Sequence, residues 1–135
     1  MGYYFSYGSN NYKQVRERTE VDSIDKPHPA RLSGYKRVFQ GKSENWPNSA
    51  KANIVSAHVT DFVFGSLYDL PEGYIAKLAT YEHSYRSENV EVFDLETESS
   101  VLATVFLVDS IDPISRPSAD YLNAVRQNLA DVGLS

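Results

Sequence analysis

Tyr4-Phe5-Ser6-Tyr7-Gly8-Ser9-Asn10 puts a Gly-Ser-Asn turn directly behind an aromatic strand. The reading is a first strand over Tyr3 to Tyr7, broken by Gly8, and then a short polar helix from about Asn11 to Arg18 with Asn11 as its N-cap. A turn of this kind exposes main-chain N–H groups, and a concave run of exposed N–H groups binds anions.

Outward from that turn, Val21 to Pro29 is rich in Asp and Pro and reads as an extended connection, followed by a strand over Tyr35 to Phe39. Gln40 to Ala50 carries Gly41, Pro47 and several Ser and Asn, which makes it a loop; its Trp46 either walls a pocket or packs on the surface. Ala52 to Val55 and Asp61 to Leu70 are strands, the second so dense in Phe62, Val63, Phe64 and Leu67 that both faces are expected to be covered. Pro71-Glu72 opens a helix in which Ile75, Leu78 and Glu82 share a face, so a carboxylate is aimed inward beside apolar side chains. Val90 to Leu95 alternates. Val101 to Val108 is an apolar run interrupted only by Thr104, typical of a central strand. After Asp109 to Pro117 a last helix is expected to bury Leu122, Val125, Leu129 and Val132 before Gly133 ends it. Strands dominate, helices are few, and neither repeats nor a long linker interrupt the chain. The fold class is α+β, a curved and mainly antiparallel sheet in a single domain over residues 1–135.

At 135 residues a single domain buries about two-thirds of the surface its unfolded chain exposes. Thirteen Lys and Arg against eighteen Asp and Glu give a formal charge of −5, which repels phosphate backbones and argues against nucleic acid. Lys26, His28, Arg31, Lys36 and Arg37 are the local exception, either a solvated face or an anion patch. There is no cysteine, so disulfides, thiol nucleophiles and Cys-based zinc sites are excluded and a reducing compartment fits. No stretch has the length of a membrane span or the form of a signal peptide, so a cytoplasmic location and no membrane partner are expected. Met1-Gly2-Tyr3-Tyr4-Phe5-Ser6 formally satisfies a myristoylation pattern, discounted because Gly2 leads straight into a strand.

The residues alone leave three chemistries to compare. Gly8-Ser9-Asn10 is not a nucleophile elbow, and no spacing brings a His or Asp beside Ser9. His28, His58 and His83 lack metal-ligand spacing, with His58 and Asp61 the best pair, so no metal site is expected. Glu82 is better founded. Beside Ile75 and Leu78 it loses hydration, which raises a carboxyl pKa toward the range useful to a general base, and a helix ending there would push the same way. The alternative is a plain ion pair with Arg86 one helical turn on.

These residues also carry a family resemblance. The YGSN turn after a short strand, followed later by Tyr81-Glu82-His83-Ser84-Tyr85-Arg86, resembles the gamma-glutamylcyclotransferase family, in its AIG2-like or gamma-glutamylamine cyclotransferase-like form. Ala30 to Arg37, Val63-Phe64-Gly65-Ser66-Leu67-Tyr68 and Pro117 to Leu122 resemble further family segments, so the likeness spans nearly the whole chain. It implies a small β-barrel with helices outside. It also implies a cofactor-independent acyltransferase or lyase that cyclises an L-γ-glutamyl amide to 5-oxo-L-proline and releases the amine. On that resemblance Glu82 is the general acid/base and the Tyr7–Asn10 main chain holds carboxylate or oxyanion. Tyr4, Phe5, Ser6, Tyr7, Gly8, Ser9, Asn10, Tyr85 and Tyr121 line the substrate site. The implied partner is a small γ-glutamyl molecule, and the protein is expected to be a monomer or weak dimer. Relatives often carry Met or Leu where this chain has Asn11, and many carry Gly where it has His83. Glutathione is the least supported substrate, because the loop reads YGSN rather than Y-x-G-S-L. Alternatives of other classes are a non-catalytic binding module of the same fold and an amide hydrolase releasing free glutamate.

Overall fold

The computed structural model describes residues 2–20, 24–43, 45–71, 73–82, 84–110 and 112–134. His83, Glu72 and Met1 therefore lie outside the described residues, and with them the readings made of the His83 substitution, the Pro71-Glu72 helix start and the myristoylation pattern. The elements run β1 (Gly2–Ser6), α1 (Tyr12–Thr19), β2 (His28–Ser33), β3 (Tyr35–Gln40), β4 (Lys51–Ser56), β5 (Phe62–Leu70), α2 (Tyr74–Ala79), β6 (Arg86–Asp94), β7 (Ser99–Leu107) and α3 (Ala119–Ala130). Five strands close a barrel in the order β1-β5-β2-β6-β7, and β3 and β4 form a separate two-stranded sheet. All paired strands are antiparallel except β1 and β7, which meet in parallel at Tyr3↔Ala103 and Tyr4↔Thr104 and close the barrel. The fold is thus the α+β barrel expected, with three helices against it.

From Tyr4 to Ser6, β1 is buried on both faces, while Tyr3 is exposed. Phe5 points into the barrel with Leu32, Val63, Val92 and Val105, while Tyr4 joins Val15, Tyr68, Leu70, Leu78 and Phe106 beneath the helices. Period-two alternation sends neighbouring side chains to opposite sides, so a single aromatic pair anchors two cores. β5 approaches β1 very closely: a Cβ at Gly65 would lie 2.3 Å from the Ser6 carbonyl oxygen. No side chain fits there.

Several expectations change. β2 (His28–Ser33) starts two residues inside the stretch expected to be an extended connection, at His28 and Pro29, and continues through Ala30–Ser33 in the segment that resembles a family strand region. Pro29 lacks an N–H, but its carbonyl accepts from Leu95 N at 2.9 Å, and the strand pairs with both β5 and β6. Gly34, at φ +84°, then turns the chain out of the barrel into β3. β5 is not covered on both faces, since Phe62 and Phe64 are exposed. β7 is a central strand as read, paired with β6 and β1, but Leu102 faces outward from it. α3 buries Tyr121, Ala124, Val125 and Asn128; Leu122, Leu129 and Val132 are only half-buried. The buried face of α3 is rotated because it includes a polar side chain with a partner in the barrel.

Candidate active site

The loop behind β1 is held from every side. Ser6 Oγ donates to the Asn10 carbonyl at 2.7 Å and Asn11 N donates to the Ser9 carbonyl at 2.8 Å. Asn11 Oδ1 accepts from Gln14 N at 3.0 Å, so it caps α1 as its sequence position suggested. Asn128 Nδ2 donates to the carbonyls of Ser6 at 3.0 Å and Gly8 at 3.2 Å, and Arg37 Nε donates to that of Tyr7 at 2.8 Å. The loop's carbonyls are therefore occupied. Among the described residues nothing accepts from the N–H groups of Gly8, Ser9 or Asn10. Satisfied carbonyls beside available N–H groups are the arrangement that an anion cradle requires.

Glu82 reaches this loop by a route other than the one expected. α2 stops at Ala79, so Glu82 does not share a helix face with Ile75 and Leu78. Thr80 Oγ1 donates back to the Lys77 carbonyl at 2.7 Å, which competes with helical bonding. Two i→i−3 turns follow, Tyr81 N to Leu78 O and Glu82 N to Ala79 O, each 3.0 Å. They deliver the carboxylate to Asn10, whose Nδ2 donates to Glu82 Oε1 at 3.2 Å. Arg18 Nη1 lies 3.4 Å from the same oxygen. The pairing with Arg86 does not form; Arg86 opens β6 and binds Asp109 at 2.9 Å and Glu88 at 3.2 Å. Asn10 is the hub: Nδ2 also donates to Tyr4 Oη at 2.8 Å, and Oδ1 accepts from Arg18 Nη1 at 2.6 Å.

Four phenols surround the carboxylate. Tyr7 Oη donates to the Phe106 carbonyl and Tyr85 Oη to the Ala52 carbonyl at 2.6 Å. Tyr121 Oη accepts from Ala52 N at 2.7 Å. Burial, then the nearby Glu82 charge, pushes Tyr4 upward; burial, then the neighbouring phenols, does the same to Tyr7 and Tyr85. Burial raises Tyr121 to about 12 against the help of Ala52 N. All four stay neutral at pH 7. They can donate hydrogen bonds but cannot serve as bases.

All ten residues singled out in the sequence line one cavity of about 50 Å³: Glu82, Tyr4, Phe5, Ser6, Tyr7, Gly8, Ser9, Asn10, Tyr85 and Tyr121. Trp46 walls it too, its ring edge-on to Tyr121 at 5.6 Å. Sequence reasoning missed Arg18, Lys51, Ser84 and Phe106 in the lining and Asn128 and Arg37 behind it. Arg18 was within reach, because it lies seven residues past the Asn11 cap and so on the same helix face. Nothing local marks Asn128, and Arg37 stood out only as one member of the basic cluster, not as a support of the loop.

The basic cluster is not a patch. His28 contacts Asp94 at 2.8 Å and Glu96 at 3.0 Å, Arg31 lies over the rings of Phe62 and Phe93, and Lys26 and Lys36 are exposed. His58 caps a turn, its N–H on Asp61 Oδ2 at 3.1 Å and its ring on Thr60 at 2.8 Å. Among the described residues no group of three or more His, Asp or Glu side chains is arranged to hold a metal, and no helix is long and apolar enough to cross a membrane.

Comparison with known proteins bears on this site. The family model described as "Gamma-glutamyl cyclotransferase, AIG2-like" matches residues 4–123. A human protein described as uncharacterized superposes with a TM-score of 0.84 at 22% identity, over 98% of this chain and 80% of its own. A solved gamma-glutamyl cyclotransferase gives 0.82 at 21%, over 98% and 80%. YkqA from Bacillus subtilis gives 0.81 at 24%, over 96% of this chain but 48% of its own, so this chain spans about half of YkqA. At these identities the superpositions show the shared fold. The comparison with curated proteins finds no significant sequence match.

Proposed function

Since the chain belongs to the AIG2-like gamma-glutamyl cyclotransferase family, we propose that it cyclises an L-γ-glutamyl amide to 5-oxo-L-proline and releases the attached amine or amino acid. The observation that carries the reading is the Glu82 carboxylate, 3.2 Å from Asn10 Nδ2 in the cavity lined by the Tyr7–Asn10 loop. A base, an anion cradle and neutral phenols then share one small space.

In this reaction the substrate's α-nitrogen attacks its own γ-carbonyl carbon. Glu82 takes the proton from that nitrogen, the carbonyl oxygen becomes an oxyanion, and the C–N bond to the leaving amine breaks as Glu82 returns the proton to the departing nitrogen. Atoms balance without a cofactor. The N–H groups of Gly8, Ser9 and Asn10 are assigned to the substrate carboxylate or the oxyanion, and Tyr4, Tyr7, Tyr85 and Tyr121 to shaping and orientation. Phe5 and Ser6 act from the strand end, Phe5 as packing and Ser6 by closing the loop. Holding amine and carbonyl in contact is itself a large contribution, since well-oriented intramolecular reactions reach effective molarities of about 10⁵ M or more. Residues 1–135 are assigned to one such domain acting in the cytoplasm on a small molecule, as a monomer or weak dimer.

The test is detection of 5-oxoproline by mass spectrometry from a panel of γ-glutamyl amino acids and amines, with Glu82→Gln alongside. Product from the wild type, reduced about 100-fold or more in the variant, is expected. Free glutamate instead would make the protein a hydrolase. No product, with a γ-glutamyl ligand still bound, would make it a binding module.

A further inference from the structure

Arg18 stands in α1, outside the loop and outside the Tyr81–Arg86 segment, yet it touches both. Its Nη1 donates to Asn10 Oδ1 at 2.6 Å and lies 3.4 Å from Glu82 Oε1. Its guanidinium covers the Tyr81 ring at 4.9 Å, and its side chain is 12% exposed. Two of these three contacts, the short bond to Asn10 and the stack on Tyr81, do not depend on the charge of Glu82.

We propose that Arg18 is the positioning residue of the proposed reaction: it is fixed by Asn10 and Tyr81 and holds the Glu82 carboxylate in line with the YGSN loop through the full proton cycle. The inference rests on the cyclotransferase reading. Glu82 must be a carboxylate when it takes the proton and an acid when it gives the proton back. A partner anchored only to Glu82 would be released at the midpoint, when the negative charge is gone. Arg18 is held at Asn10 in both states. It cannot compete for the proton, because a guanidinium has five donors and no acceptor. Asn10 makes the arrangement rigid, since one amide accepts from Arg18 and donates to Glu82 and Tyr4, so three elements (β1, α1 and the segment after α2) share a single planar group.

A residue acting in this way affects the chemical step more than ground-state binding. In steady-state assays Arg18→Ala is expected to lower kcat about 10- to 100-fold, the value of a hydrogen bond to a charged group, with KM changed by less than about threefold. Millimolar guanidinium added to Arg18→Ala is expected to restore part of the lost kcat saturably, with no matching rise in melting temperature. A guanidinium that only supported the fold would not act this way. A rise in KM at unchanged kcat would overturn the proposal by making Arg18 a substrate-binding group. Failure of guanidinium to rescue a well-folded Arg18→Ala would reduce Arg18 to a structural tie. Unchanged kinetics would remove it from the site. If the wild type forms no 5-oxoproline, the cyclotransferase reading fails and this role fails with it; an active wild type with any of the three contrary outcomes refutes the role of Arg18 alone.

Discussion

Asn128→Asp tests whether α3 holds the loop. Asn128 is fully buried; its Oδ1 accepts from Ser66 Oγ at 2.7 Å, and its Nδ2 donates to the carbonyls of Ser6 and Gly8 at 3.0 and 3.2 Å. Asp is nearly isosteric, so no cavity opens and the bond from Ser66 survives. What is lost is the pair of donations to main-chain oxygens, together with the longer one to Ser6 Oγ at 3.3 Å. At about 1–1.5 kcal/mol for each lost bond, the variant is expected to be about 2–3 kcal/mol less stable at pH 7, a large part of the 5–15 kcal/mol typical of a domain. A carboxylate facing two carbonyl oxygens is further disfavoured, so burial raises the folded-state pKa of the new Asp above its unfolded value of about 3.9. A group raised in this way contributes stability at low pH that is lost as pH rises through the folded value. The deficit against wild type should therefore shrink on acidification from pH 7 to pH 5, as the neutral acid regains one donation. Urea unfolding followed by the fluorescence of Trp46, which packs on Tyr121 in the site wall, measures both numbers. A variant within 0.5 kcal/mol of wild type at pH 7 (roughly the spread of a neutral surface change), or a deficit that grows on acidification, would refute the reasoning. Catalytic efficiency should fall with stability, because the Gly8 carbonyl loses the donor that fixes the loop.

Two further outcomes are expected. Gly65→Ala puts a methyl group 2.3 Å from the Ser6 carbonyl oxygen and 3.0 Å from the Phe5 ring; because the nearest atom is main chain, the cost should reach or exceed the 1–3 kcal/mol of ordinary overpacking, and a urea midpoint equal to wild type would contradict it. His28→Gln removes an ion pair in which the Asp94 hydrogen bond raises His28 above 6.5, while His28 and the N–H groups of Thr97 and Glu96 outweigh burial to hold Asp94 below 3.8. The histidine contribution is complete below 6.5 and lost as pH rises through the raised value, and that of Asp94 is lost below 3.8. The difference in melting temperature between wild type and His28→Gln should thus be widest between those two values and close above neutrality, and a difference that is flat with pH would count against the pairing.

Several elements are specified by neighbouring residues alone. The strand into Gly8, the Asn11 cap and the Val90 and Val92 alternation all depend on residues within one or two turns of each other. Part of the cavity lining was legible through the resemblance carried by the YGSN turn, the Tyr81–Arg86 segment and the Pro117–Leu122 segment, while Arg18, Lys51 and Phe106 were not. Where local rules conflicted, the reading slipped. Pro29 argued for a connection although β2 is paired on both sides. The apolar density of β5 and β7 hid faces that carry Phe62, Phe64 and Leu102 outward. Helical spacing was carried three residues past Ala79, where Thr80 had already taken a helix carbonyl.

By itself the sequence determined the strand, the turn behind it and an inward carboxylate, because chain geometry and side-chain chemistry act over a few residues; the tyrosines of the site came only from the family resemblance. Only the tertiary structure decided that the sheet closes through the parallel β1–β7 pair. It alone also decided that Glu82 meets Arg18 across 64 residues and that Asn128 grips the loop across 120. Such pairings follow from how helices seat on a closed barrel. A pattern of period two or 3.6 says which face of an element is buried but not which distant residue it will face.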